Sequence, residues 1–220
     1  WQRTTHWDRR YLSLYRHDGG QMKDRFPFWL AGLFVIFFAI LAVDPVSREV
    51  WVAEVIPVVM VFAGLVLTYR RFRFSNLAYG LMAVWLFWHT LGGHYTFANV
   101  PFDWVTDLLG AERNHFDRIG HFTVGFYAYP MIEWLLRRRH CTYWLANVFA
   151  LLLVMGIAAG YEIVEWWYAA LEGGDAGIEF LGSQGDVWDA QKDMLSDTLG
   201  ALFVLTLYAW VRPDRRLGPT

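Results

Sequence analysis

WVAEVIPVVMVFAGLVLTYRRFRF, residues 51–74, decides the fold. A helix needs about 20 mostly apolar residues, at 1.5 Å per residue, to cross the hydrocarbon core of a bilayer. This run meets that need and then stops at Arg70, Arg71 and Arg73. The same pattern recurs on either side of it. Windows at 27–43, 50–68, 76–94, 119–136, 143–165 and 192–211 all qualify, which predicts an all-α polytopic membrane bundle of about six transmembrane helices. Only helices or closed barrels satisfy their backbone in lipid, and these runs lack the alternation of barrel strands. Pro27 opens the first window, where its missing N–H costs nothing. Pro57 and Pro130 fall inside the second and fourth, which predicts kinks there.

Composition agrees with the windows. Of the 220 residues 56% are hydrophobic and only 18% charged, whereas a soluble domain carries about a quarter charged. The arginine clusters are short and each abuts an apolar run, a pattern that excludes nucleic acid as a partner and leaves membrane lipid. The loops set the orientation. Residues 1–26, 69–75, 137–142 and 212–220 hold 15 of the 19 lysines and arginines; the other four are Arg48, Arg113, Arg118 and Lys192. Both termini are therefore expected in the cytoplasm of a bacterial inner-membrane protein. The domains read as a basic leader (1–26), a six-helix domain (27–211) and a tail (212–220). The leader mixes arginines with Trp7, Tyr11, Leu12, Leu14 and Tyr15, so it is either an interfacial amphipathic helix or a solvated segment. The first apolar run lacks a small-residue cleavage pattern and reads as a retained anchor. Cys141, the single cysteine, excludes an intrachain disulfide. Trp29, Trp51, Trp104, Trp134, Trp144, Trp166, Trp167 and Trp210 lie near span ends or in loops, as an interfacial belt would.

The polar residues gather on the other side. Span three ends outward in His89 and His94; span four starts from Asn114, His115, Asp117 and His121. Span five ends in Tyr161, Glu162 and Glu165, and span six opens with Asp189, Lys192, Asp193 and Asp197. Asp117 and His121 are four apart and share a helix face, as do Glu162 and Glu165 at three. Asp189, Asp193 and Asp197 form a stripe at four-residue steps. Four helices thus bring imidazole or carboxylate to one depth near the outer boundary. Crowded carboxylates repel and need a cation, arginine partners or shared protons; Arg118 and Lys192 are the cations read as neighbours. Ionisable side chains within spans face a bundle interior or a water-filled cavity. The expectation is a divalent-metal site of unspecified metal, with His121, Glu162, Asp193 and Asp197 as ligands and His94 or Glu165 as general base. His89, His115, Asp117 and Asp189 are further candidates. Imidazole with carboxylate suits zinc, iron or manganese, while carboxylates alone suit magnesium or calcium. Gly182-Ser-Gln-Gly-Asp186 reads as a turn, since it lacks the alternating oxygen ligands of a calcium loop.

HTLGGHYTF (89–97), RNHFDRIGHF (113–122), YEIVEWW (161–167) and GDVWDAQKDMLSDTLGAL (185–202) resemble the YjdF-like inner-membrane proteins of bacteria. The acid–histidine–acid-plus-glycine layout of Asp117, His121, Glu162, Asp193, Asp197 and Gly200 more distantly resembles VanZ-like membrane proteins. The resemblance implies a compact helical membrane protein over roughly residues 27–211 and carries no assigned reaction. Three functions follow as expectations: a site that binds or acts on a lipid or lipid-linked headgroup, a proton- or cation-coupled transporter, and a non-catalytic subunit with protein partners in a membrane complex.

Overall fold

The computed structural model describes residues 25–217 and is all-helical over them; the basic leader and the last residues of the tail lie outside the described residues. Helices α1 (Phe26–Leu41), α2 (Arg48–Thr68) and α3 (Asn76–Tyr95) are followed by a short α4 (Asp103–Leu109). Then come α5 (Phe116–Val124), a 3₁₀ turn (Gly125–Tyr127) and α6 (Ala128–Arg137). The chain ends in α7 (Tyr143–Glu172), α8 (Gly174–Leu181), α9 (Asp189–Val211) and α10 (Pro213–Leu217).

Local chemistry sets the boundaries. Pro27 sits in the first turn of α1. Ser47, Ser75 and Thr142 cap α2, α3 and α7, their hydroxyls accepting from Val50, Ala78 and Leu145 backbone N–H groups. Thr96, Gly110 and Gly182 end α3, α4 and α8 in the left-handed conformation. The fourth predicted span is one stack broken by the 3₁₀ turn. Pro130 cannot donate to the carbonyl four residues back, at Phe126, and its ring crowds that carbonyl. The break falls just ahead of the proline, over Gly125–Tyr127.

Three helices are long and apolar enough to cross a membrane: Arg48–Thr68, Tyr143–Glu172 and the stretch Asp189–Arg215, with mean hydropathies of 2.4, 1.9 and 1.5. The 16 residues of α1 are apolar but shorter. These helices turn large apolar side chains outward, such as Ile36, Met60, Leu152 and Phe203, the arrangement expected where hydrocarbon is the solvent. By contrast α3 is buried along much of its length, with Met82, Trp85, Leu86 and His89 inside. It packs on α1, α2 and α5, while α9 packs on α5 and α7, and α7 on α6. In lipid such packing rests on close van der Waals contact rather than hydrophobic drive, and small residues permit it: Ala128, Ala146, Ala150 and Ala201 are fully buried in the largest core cluster.

Two expectations change. The outward segments after spans three and five are largely helical: α7 runs to Glu172, about two turns past Glu165, and α4 and α8 occupy much of the rest. Trp51 is not interfacial but buried, its ring against Phe38 and edge-on to His94. At the other end of the bundle a buried ion pair ties the loop between α2 and α3 to α6. Glu133 accepts from Ser75 N (2.8 Å), Ser75 Oγ (2.6 Å) and Arg137 Nη1 (2.7 Å). The same Arg137 nitrogen also donates to the Arg73 carbonyl at 2.7 Å.

Candidate functional site

The centre of the site is a helix crossing without side chains in the way. A Cβ added to Gly200 of α9 would land on the Phe122 carbonyl of α5, and one on Gly125 would land on the α9 backbone. Glycine at both positions lets the two backbones touch. One turn along each helix from that contact stand His121 and Asp197, both buried, with His121 Nδ1 at 3.0 Å from Asp197 Oδ2.

The other face of the imidazole meets more carboxylates. His121 Nε2 lies 3.7 Å from Asp117 Oδ1 and 3.9 Å from Glu162 Oε1. One ligand-capable atom from each of Asp117, His121 and Asp193 lies within 4.8 Å of the others. Oδ1 of Asp193, Oδ1 of Asp197 and Oε1 of Glu162 are buried and accept no hydrogen bond among the described residues. A buried carboxylate oxygen left in this state is costly, and three meet here around one imidazole.

The nearby cations do not neutralise this inner group. Arg113 binds Asp189 and lies 3.5 Å from Asp186. Arg118 donates to Asp186 at 2.6 Å and Asp189 at 3.0 Å, and Lys192 donates to Asp186 at 2.6 Å. These bonds hold the Asp186 carboxyl well below its usual range, Lys192 first, then Arg118 and the Trp188 N–H. Arg113 is a third cation beyond the two expected. It anchors the outer loop, and only Arg118 Nε, at 3.8 Å from Asp193, reaches toward the inner carboxylates. Gln184 closes the same loop by exchanging two hydrogen bonds with the Asn114 backbone; Gly182, Gln184 and Gly185 all have positive φ, the turn expected there.

A second imidazole–carboxylate pair sits nearby. His89 Nε2 is 3.1 Å from both the carbonyl oxygen and Oε2 of Glu54, and Tyr161 donates its hydroxyl to Glu54 Oε2 at 3.0 Å. Gly93 makes this approach feasible, because its missing Cβ would stand 3.0 Å from the Glu54 Cβ. Sequence reasoning passed over Glu54, yet a lone carboxylate inside an apolar span is a signal in itself.

Both pairs open on one cavity of about 860 Å³. Glu54, His89, Asp117, His121, Glu165 and Asp197 form its outer end. The remaining wall is apolar, with Leu65, Trp85, Val124 and Leu153 among its lining, until Arg71, Arg138 and His140 at the opposite end. Three sequence candidates stand elsewhere. His94 is outside this lining; its Nδ1 meets the Leu41 carbonyl at 2.7 Å and its own carbonyl accepts from Val46, so it fastens the α1–α2 loop to α3. Asp189 is taken by the two arginines. His115 stands at the entry to α5, where partial burial and then Arg118 and Arg113 hold its imidazole below the usual value.

Fold and site together define an integral-membrane helical protein whose buried imidazole and carboxylate groups share one internal cavity. The chain belongs to the family described as predicted membrane protein (DUF2238), whose model matches residues 26–214. It is similar to inner membrane protein YjdF of Escherichia coli strain K12, 38% identical over 191 residues that cover 84% of this chain and 90% of that protein. No solved structure matches it.

Proposed function

We propose that this protein crosses the bacterial inner membrane six times with both termini in the cytoplasm, and that its periplasmic end holds a divalent cation. The cation serves to bind, or to act on, the polar head of a lipid or lipid-linked molecule. The inner-membrane location is supported by the name of the relative and by the distribution of arginines. One observation carries the site: Asp117, His121 and Asp193 offer atoms within 4.8 Å of one another, and the Asp193 oxygen there is buried without a hydrogen bond.

The roles differ from those the spacing alone suggested. With Nδ1–H donated to Asp197, His121 presents the Nε2 lone pair toward Asp117 and Glu162. Carboxylate–histidine–metal arrangements use this geometry to fix the tautomer and raise the basicity of the ligand. Asp117, His121 and Asp193 are thus the ligands, with Glu162 the nearest further donor, and Asp197 orients His121. When bound, a divalent ion supplies charge for a phosphate or carbonyl oxygen and lowers the pKa of a bound water. Glu165 faces the same cavity and is the base within it; His94 does not line it.

The test is metal content. Purified protein incubated with Zn²⁺, Mn²⁺ or Mg²⁺ and desalted should retain about one ion, and Asp117→Asn with Asp193→Asn should retain none while keeping its melting temperature. Wild-type protein that retains none of the three ions overturns the reading. A second reading rests on the cavity's two polar ends: a cation-coupled transporter with a path from the outer cluster to Arg71 and Arg138. Uptake into proteoliposomes driven by a pH gradient and abolished by Glu162→Gln would favour it.

A further inference from the structure

The apolar length of the cavity has no role in holding a cation. Along α2 its lining runs from Glu54 to Thr68 and along α7 from Ala150 to Glu165, about 21 and 22 Å at the helical rise. One leaflet's share of the hydrocarbon core is only about 15 Å. Between the polar ends the wall is made by Pro57, Val61, Gly64, Leu65, Leu153 and Ile157, with no charged side chain among these. Water has too few partners on such a wall, so a polar solute is a poor occupant of this stretch.

Its position says what surrounds it. The slot lies between α2, which packs on α3, and α7, which packs on α6, α8 and α9. Beside it, Val59 and Met60 of α2 and Leu152 and Met155 of α7 are exposed apolar side chains on helices long enough to span a bilayer. The phase next to the slot is therefore lipid hydrocarbon.

We propose that the cavity between α2 and α7 binds one long hydrocarbon chain of an anionic single-chain lipid. Its phosphate-class head is at the Asp117–His121–Asp193 end and its chain reaches past the bilayer midplane toward Thr68. The placement of the head rests on the cation reading above; the placement of the chain does not. Gly64 is the natural probe of the chain. It lines the slot about 15 Å from Glu54 along α2, and a side chain built there meets nothing within 4 Å. A leucine at this point shortens the slot without disturbing a packed neighbour.

The experiment uses full-length protein in phosphatidylcholine nanodiscs loaded with Mn²⁺. Binding of radiolabelled hexadecyl phosphate, whose extended chain is on the order of 20 Å, is compared with that of octyl phosphate and hexadecanol, with empty nanodiscs subtracted. Wild-type protein should bind hexadecyl phosphate saturably at about one per chain and well above octyl phosphate. Gly64→Leu should weaken hexadecyl phosphate about tenfold and leave octyl phosphate unchanged. Leu153→Trp, on the facing wall, should do the same and carries the test should Gly64→Leu fold poorly. Leu152→Trp, on the lipid face, should change neither. Equal binding of the two chain lengths, or hexadecyl phosphate binding indifferent to both cavity variants, overturns the proposal. Hexadecyl phosphate that binds no better than hexadecanol and ignores chelation overturns the headgroup reading alone, since the dependence on chain length and on Gly64 would still stand.

Discussion

Replacing Gly200 by alanine should open the crossing on which the site is built. The added Cβ would stand 2.9 Å from the Phe122 carbonyl carbon, nearer still to its oxygen, and 3.3 Å from the Gly125 Cα. All three are backbone atoms on a helix, so no side chain can swing aside. Bringing that carbon to ordinary contact requires α5 and α9 to part by at least about half an ångström, and the oxygen requires more. Overpacking of this kind costs about 1–3 kcal/mol. The same movement stretches the 3.0 Å bond between His121 and Asp197, worth about 1.5–3 kcal/mol with a charged partner. The two losses share one displacement and do not add fully, so the net cost is about 2–4 kcal/mol. At roughly 2–4 °C per kcal/mol for a chain of this size, Gly200→Ala should lower the melting temperature in detergent by roughly 5–15 °C. Loss of the orienting partner should also weaken the bound cation about 10- to 100-fold. Gly156→Ala is the control: a Cβ there meets nothing within 4 Å, and the change should be neutral or stabilising by up to about 1 kcal/mol. Melting within about 1 °C of wild type together with unaltered cation affinity would refute the reasoning, because it would mean the helices are not held at backbone contact.

Glu133→Ala should leave Arg137 buried and uncompensated, at a cost of about 3–5 kcal/mol, and abolish stable protein in a detergent melt; Glu133→Gln with Arg137→Met should recover a measurable transition. Asp186 has a folded-state pKa below its unfolded value, so its contribution is present above the ordinary carboxylate range and lost only as pH falls through the lowered one. Hydrogen exchange over residues 183–192 should therefore match at pH 7 and pH 4.5 in wild type, and rise at both in Asp186→Asn. For topology, Cys141 in inverted vesicles should react with an impermeant maleimide, whereas a cysteine at Ser183 in a Cys141→Ser background should react only from the periplasmic side of intact cells.

The all-helical fold and family membership were legible in the residues themselves, because apolar runs, arginine-rich loops and i,i+4 spacing are local properties of the chain. So was the meeting of His121 with Asp197, since both stand at similar depth on helices of opposite direction. Role was not legible. Asp117, not Asp197, completes the group of three, because the ring nitrogen a carboxylate faces depends on how α5 rotates against α9, and that rotation is set by backbone contact at Gly125 and Gly200. His94 and Asp189 looked equivalent to their neighbours until the packing turned one to the Leu41 carbonyl and gave the other to Arg113 and Arg118. Glu54 came to His89 from 35 residues away through a gap that Gly93 leaves. Spacing along one helix tells which side chains share its face; only the tertiary structure decides which faces of different helices meet, because that follows from contacts between backbones far apart in the chain.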